Sequence, residues 1–407
     1  MNYEIIYGEK KELIKIPNSV NFDILKPIKP PPVDLNLTIQ KLKIEVQDFF
    51  STGQSFLIIV NDYTRPTPTP KILELISEIF FDKEIYFLVA LGSHRKPDEK
   101  ENLQIFGNFY ERYKGRIFYH DCRNKSELVY LGKTSFNTPI YLNKLIEKVD
   151  KIITINSVEP HYFAGYTGGR KTFLPGIAGY ETISANHLLS LNKEATLLAL
   201  TNNPVANDME EVAKVVRKPL FSIQVIVDQK KDIYNLTFGD LSTSFKEGVK
   251  WAEKVFCIPI KEKYDIVIAL IKEPYNVNFY QAQKGLENAK MALKEGGKII
   301  LVSSCEKGIG EEEFISIMKD ADSPQEVIEN VKRNFVLGYH KSAKLAELLT
   351  WAEVYTVVGI ANELIEAIFM KPFNTIQEAI DFAIRKNNIK NILLLPDASL
   401  MLPMLVK

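Results

Sequence analysis

A chain of 407 residues has room for two or three domains. Hydrophobic residues at 46% and charged residues at 25% are ordinary for a soluble globular protein, and 51 Lys and Arg against 51 Asp and Glu leave no formal net charge. That balance argues against the broad basic surface of a nucleic-acid or anionic-membrane binder, while leaving room for a local basic pocket.

Residues 1–20 alternate apolar and charged positions, the pattern of a hairpin or edge strands, and show no signal-peptide apolar core. No apolar run reaches transmembrane length. Pro27, Pro30, Pro31 and Pro32 mark an extended connector, and Leu37 to Phe50 reads as an amphipathic helix. Phe56 to Val60 is a continuous apolar run that suits a buried strand. It leads into NDYTRPTPTP, where Pro66, Pro68 and Pro70 fit a helix entry and not its interior, and a helical period follows from Ile72 to Phe80. Asp62 and Arg65 therefore lie at a strand's C-terminal end. The pattern repeats at Ile85 to Leu91, which runs into His94 and Arg95. A strand is expected at Arg116 to Tyr119 and another at Val149 to Ile155, which runs into Glu159-Pro160-His161. A parallel sheet would gather these three strand ends along one edge, where open α/β sheets bind ligands.

Further on, helices are expected at Val205 to Val216 and Phe245 to Phe256, with a strand at Phe221 to Asp228 between them. The segment CIPIKEKYD reads as a linker. A second α/β unit follows: strand Asp265 to Ile271, helix from about Gln281 to Leu293, a turn at Glu295-Gly296-Gly297 and strand Lys298 to Ser303. Helices continue to about Leu349. Strand Val354 to Val358, helix Ile376 to Arg385 and strand Ile392 to Leu395 close the series, the last open to either domain. The expected fold is α/β, with two domains that each carry a mostly parallel sheet flanked by helices. Residues 1–258 form the first and 259–389 the second, which closes over the site; a terminal segment near 390–407 is free to return to the first. Cys122, Cys257 and Cys305 are widely spaced and make no zinc or redox motif, which fits a reducing cytoplasm.

The chemistry concentrates in residues 161–187, HYFAGYTGGRKTFLPGIAGYETISANH, where five glycines surround Lys171 and two histidines end the stretch. Glycines at this density let backbone approach a ligand or take positive φ. The plain alternative is a surface loop with a solvated Arg170-Lys171 pair. GYTGGRKT also approaches the phosphate-loop pattern, but Arg170 stands where its second glycine is needed. Histidine suits proton transfer near neutrality, and His94 and His161 at two different strand ends could flank one substrate and invert a carbon centre. His120 and His340 read as structural. His187 could ligate a borderline metal such as nickel or zinc, but no second histidine or cysteine cluster completes a protein-only site.

The motifs NDYTRPTP at 61–68, GSHR at 92–95, EPHYFAGYTGGRKTFLPGIAGYETISANH at 159–187 and YQAQKGLENA at 280–289 resemble the nickel-pincer lactate racemase family. The resemblance implies a 2-hydroxyacid racemase or epimerase that moves hydride to and from a Ni(II)-pyridinium-3,5-bisthiocarboxylic acid mononucleotide. It implies a thioamide link from Lys171, nickel ligation by His187 and acid–base roles for His94 and His161. Asp62, Tyr63, Thr64 and Arg65 would line the cofactor and substrate site, with Gln281 and Lys284 reaching in from the second domain. Trp351 is a candidate for the family's aromatic substrate contact. The implied partners are a small 2-hydroxy acid, lactate or a relative, and cofactor-biosynthesis proteins, with no nucleic acid and no membrane. Two other readings stay open: a non-catalytic protein of this fold that stores or delivers the cofactor, and a P-loop-like nucleotide hydrolase.

Overall fold

The computed structural model describes residues 2–7, 10–228, 230–310, 312–386 and 388–406. They fall into two units, residues 30–255 and residues 1–29 with 256–407.

The sheet of the 30–255 unit has six strands in the order Ile233–Gly239, Leu220–Val227, Lys151–Ser157, Ser55–Asn61, Glu84–Ala90 and Ile117–Tyr119. Only Ile233–Gly239 runs antiparallel to its neighbour. Phe56 to Val60 are fully buried, as a run covered on both faces requires. Helix Leu35–Phe50 lays Leu42, Val46 and Phe50 on this core, and Phe50 stacks on Phe56 at 4.1 Å. The Asp34 carboxylate accepts from the Leu37 N–H and starts that helix. From Ser55–Asn61 the chain builds outward through Glu84–Ala90 and Ile117–Tyr119, then crosses back to lay Lys151–Ser157 on the other side. The strand order reverses there, so the ends of Ser55–Asn61 and Lys151–Ser157 flank the crevice in which such sheets take ligands. Asn61 bridges the two ends, its Oδ1 accepting from the Ser157 N–H at 3.1 Å.

The second unit has a wholly parallel sheet in the order Lys371–Pro372, Glu353–Val358, Leu293–Ser303, Tyr264–Leu270, Asn391–Leu395 and Asn21–Ile24. Here the structure departs from the sequence expectation. The first 29 residues join the C-terminal unit; strand Asn391–Leu395, left open to either domain, lies in that unit too, and residues 390–407 do not return to the first. Hairpin Asn2–Tyr7 and Lys10–Lys15 has one apolar face, and Ile5, Tyr7 and Ile14 bury it in one core with Ile376, Ile380 and Ile392. Glu12 accepts from the Ile376 and Gln377 N–H groups and so caps helix Ile376–Lys386. Alternation announces such a face without saying which sheet it covers. The expected linker is a strand, Cys257–Ile260, paired in parallel with Leu402–Leu405. The expected helix from Gln281 is two short ones, Phe279–Ala282 and Lys284–Ala289. The expected turn at Glu295-Gly296-Gly297 is absorbed into strand Leu293–Ser303, with Gly296 at φ 72°. Among the described residues, no helix is long and apolar enough to cross a membrane.

Candidate active site

Asp62 follows strand Ser55–Asn61 directly and is buried. Its Oδ1 accepts from the Thr64 N–H at 3.1 Å and the Thr64 hydroxyl at 2.7 Å, an Asx-type turn that fixes the carboxylate. Its Oδ2 lies 2.5 Å from Nδ1 of His94, which follows strand Glu84–Ala90. Burial pushes the Asp62 carboxyl up, but His94, Thr64 and the Arg65 charge outweigh it and hold the group below its ordinary range. An ionised carboxylate only accepts, so His94 donates from Nδ1 and its other nitrogen, Nε2, remains the basic atom of the neutral ring. The first two strand ends are thus joined by a hydrogen bond.

The third strand end leads into a tight hairpin in which Pro160 pairs with Tyr166 and His161 with Gly165. The Ala164 N–H approaches His161 Nδ1 at 3.3 Å, and Asn203 holds the Phe163 carbonyl at 2.8 Å. A 3-10 turn, Gly169–Thr172, then carries Lys171. That turn rests on buried polar side chains of the sheet: Gln224 accepts from the Gly169 N–H at 3.0 Å, and the Thr172 hydroxyl donates to Asn156. The glycines serve this packing. A Cβ on Gly165 would sit 2.1 Å from the Ala199 carbonyl oxygen, and one on Gly169 would sit 2.7 Å from the Phe245 ring. The backbone approaches other protein atoms here, where the sequence suggested a ligand.

Lys171 Nζ reaches to 3.4 Å from His161 Nε2 and lies 5.5 Å from the Phe163 ring centre. Phe163 also meets the His161 ring at 4.7 Å and the His187 ring at 5.1 Å, both edge-on. One phenyl ring therefore gathers the lysine and both histidines of the 161–187 stretch, a role that nothing in the sequence marked. His187 comes from helix Tyr180–Leu188 and is 9% exposed. Desolvation lowers the Lys171 ammonium well below the ordinary lysine range, and the charges of Arg65 and Arg170 push the same way. Arg65 also acts on Asp62 and on Glu159, whose carboxyl burial raises. The Arg65 charge thus favours the ionised Asp62 carboxylate and disfavours the Lys171 ammonium.

Other residues lie elsewhere. Arg95, expected beside His94, is taken by Glu101 through two bonds of 2.6 and 2.7 Å, and its guanidinium covers the Tyr63 ring at 4.7 Å. His120 is buried, with Nε2 2.9 Å from the Ala178 carbonyl, and burial pushes it down to about 4. His340 is also buried. Gln281 and Lys284 belong to the other unit, where the lysine donates to the amide oxygen at 2.5 Å, as an i,i+3 spacing allows. Trp351 belongs there too. The phosphate-loop reading fails on the same contacts. The Gly169 N–H serves Gln224, the Lys171 N–H serves the Gly168 carbonyl and the Thr172 hydroxyl serves Asn156. Arg170, 1% exposed, is anything but a solvated partner of Lys171.

Residues 7–198 match the family model for the lactate racemase N-terminal domain, and residues 260–401 match that for the lactate racemase C-terminal domain. The lactate racemase of Lactiplantibacillus plantarum is 31% identical over 356 residues, 84% of this chain and 83% of that protein. The chain belongs to the lactate racemase family. The lactate racemase of Thermoanaerobacterium thermosaccharolyticum is 29% identical over 97% of each chain. The structure of its apoprotein superposes with a TM-score of 0.86 at 28% identity, covering 99% of this chain and 100% of that one. A Thermotoga maritima protein shares the fold at a TM-score of 0.68 and 18% identity, over 93% and 100% of the two chains. The chain is accordingly a racemase-type isomerase. In this family member Phe163 packs Lys171 against two histidines.

Proposed function

We propose that this racemase interconverts the D and L forms of a small 2-hydroxy acid, lactate or a relative. His94 and His161 are the acid–base pair, and Lys171 is the covalent anchor of a nickel-pincer pyridinium mononucleotide made by cofactor-biosynthesis proteins. The observation that carries the reading is that three neighbouring strands of one sheet end in the hydrogen-bonded pair Asp62–His94 and in His161, which Lys171 approaches at 3.4 Å. The residues fit such a group. Among the described residues, no cluster of three or more His, Cys, Asp and Glu side chains could hold a metal. A lone imidazole therefore suits a metal that arrives with its other ligands, and His187 is that imidazole. A lysine whose ammonium form is disfavoured by desolvation suits bond formation to an activated carbonyl or thiocarbonyl carbon. Accepting and returning hydride at carbon is the chemistry the bound group supplies.

The chain's own residues manage the proton and the orientation. Nε2 of His94 takes the hydroxyl proton as the substrate's C–H bond breaks, and Asp62 steadies the imidazolium that forms. His161 would hold or deliver the oxygen's proton from the opposite side, as formation of the other enantiomer requires. Arg65, whose forked guanidinium matches a carboxylate, orients the acid, with Tyr63 and Thr64 fixing the turn that carries it. Gln281 and Lys284 are further binding groups on the family resemblance alone.

The test is the denatured intact mass of the protein and its Lys171→Ala variant, each made in cells that express the cofactor-building enzymes. A nickel- and sulfur-bearing adduct that the variant lacks, with racemisation of one enantiomer in a panel of 2-hydroxy acids, is the expected result. An adduct without turnover of any acid in the panel would favour the storage or delivery protein.

A further inference from the structure

Arg170 has no part in the proton chemistry above, yet it is buried in the middle of the site. Its Nη2 donates to the Ala164 carbonyl at 2.9 Å, and the guanidinium lies 4.5 Å from the centre of the Phe245 ring. The Glu210 carboxylate stays 3.7 Å from Nε, and neither Nε nor Nη1 has a hydrogen-bond partner among the described residues. A desolvated guanidinium with two idle donors opposes folding. An ordinary packing residue would be apolar here, so the bond to Ala164 is the feature to explain.

Ala164 is held at both ends of its backbone. Its carbonyl accepts from Arg170 and from the Tyr166 N–H at 2.9 Å, while its own N–H approaches His161 Nδ1 at 3.3 Å. The Ala164 N–H aimed at Nδ1 calls for a lone pair there, which leaves the proton of the neutral ring on Nε2, where Lys171 in its amine form accepts it. His94 is arranged the other way, with Asp62 receiving its Nδ1–H. We propose that Arg170 is a positioning residue for His161: by clamping Ala164 it holds the imidazole in the Nε2–H tautomer. The two histidines then rest in unlike states. His94 offers a lone pair to a substrate hydroxyl, and His161 offers a hydrogen-bond donor to the oxygen on the other side, as a neutral imidazole can. The functional consequence rests on the racemase reading above, but the tautomer does not.

The tautomer is read in the full chain without cofactor, labelled with nitrogen-15 at histidine, by long-range proton–nitrogen correlation at about pH 8, above the ordinary histidine range. His161→Gln assigns the signals. The native protein should show one Nε2–H pattern for His161, Glu210→Gln should leave it unchanged, and Arg170→Met should give the averaged pattern of both tautomers. Arg170→Lys, with a shorter reach to Ala164, should fall between, which keeps the test open if Arg170→Met fails to fold. A native Nδ1–H pattern, or Arg170 variants identical to the native protein, would overturn the proposal. In the loaded enzyme, Arg170→Lys should lower kcat about tenfold with KM within about twofold, as lost transition-state orientation does. An unchanged kcat would refute the functional half. Absence of any native racemisation would instead refute the racemase reading, with the spectra still deciding the tautomer.

Discussion

Asp62 presents Oδ2 to His94 Nδ1 at 2.5 Å while Thr64 holds its other oxygen. On the proposed reading the pair is a base with its orienting carboxylate. Replacing Asp62 by Asn keeps the shape but removes the charge that steadies the imidazolium. In cofactor-loaded enzyme, Asp62→Asn should lower kcat by about 10²–10⁴-fold, the range of acid–base contributions. Chiral chromatography of the two enantiomers measures it, and a loss below about threefold would remove His94 from the proposed role.

Lys171 carries a sign that can be checked without cofactor. Unfolded, a lysine binds its proton up to about pH 10.4. In the folded chain desolvation, Arg65 and Arg170 lower that affinity well below the ordinary range. Between the two values the unfolded state binds more protons, so stability rises with pH and the lysine opposes folding at pH 7. The unloaded Lys171→Met variant should therefore melt higher than the native protein at neutral pH. The gap should close as the pH approaches the ordinary lysine value. Calorimetric melting across that range decides, and a variant that melts lower at pH 7 contradicts the electrostatic account.

His120 runs through an acid window. Its folded pKa is pushed down to about 4, below its unfolded value of about 6.5. Its contribution is fully present above about pH 6.5 and is lost as the pH falls toward 4, at a slope of up to about 1.4 kcal/mol per pH unit. Urea midpoints of the native protein should fall across that interval. In a His120→Gln variant that still folds, the fall should be shallower.

Gly165 tests whether the glycines serve packing. At φ 75°, with Ala199 where a Cβ would go, Gly165→Ala should destabilise the 30–255 unit by about 2 kcal/mol or more. Gly115→Ala, with nothing within 4 Å and no φ in the left-handed region, should stay within about 0.5 kcal/mol of the native protein. Denaturant titration of the two variants compares them, and equal stabilities would mean that the hairpin yields freely.

The strand ends were legible because buried parallel strands write themselves as unbroken apolar runs, and Phe56 to Val60 and Ile85 to Leu91 do so. Proline and the polar residues that follow then locate Asp62, His94 and His161. The surroundings of Lys171 were not legible. Glycine density signals close approach but not what approaches, and Gly165 and Gly169 meet Ala199 and Phe245 from distant parts of the chain. Phe163 looks like any core aromatic until its neighbours are known. The fate of the first 29 residues was hidden for the same reason, since an edge strand's partner is set by tertiary contacts and not by its own sequence.

Strand Asn21–Ile24 has its partner at Asn391–Leu395, some 370 residues later. On a ribosome that supplies residues in order, Pro30 to Val255 can collapse as soon as they emerge. Strand Asn21–Ile24 must wait, unpaired, until Asn391–Leu395 has been translated. The hairpin's apolar face, Ile5, Tyr7 and Ile14, likewise waits for its late-made neighbours. Premature termination before residue 376 leaves that face without Ile376, Ile380 and Ile392, so such truncated products should be a chaperone's clients even when their own 30–255 unit is native.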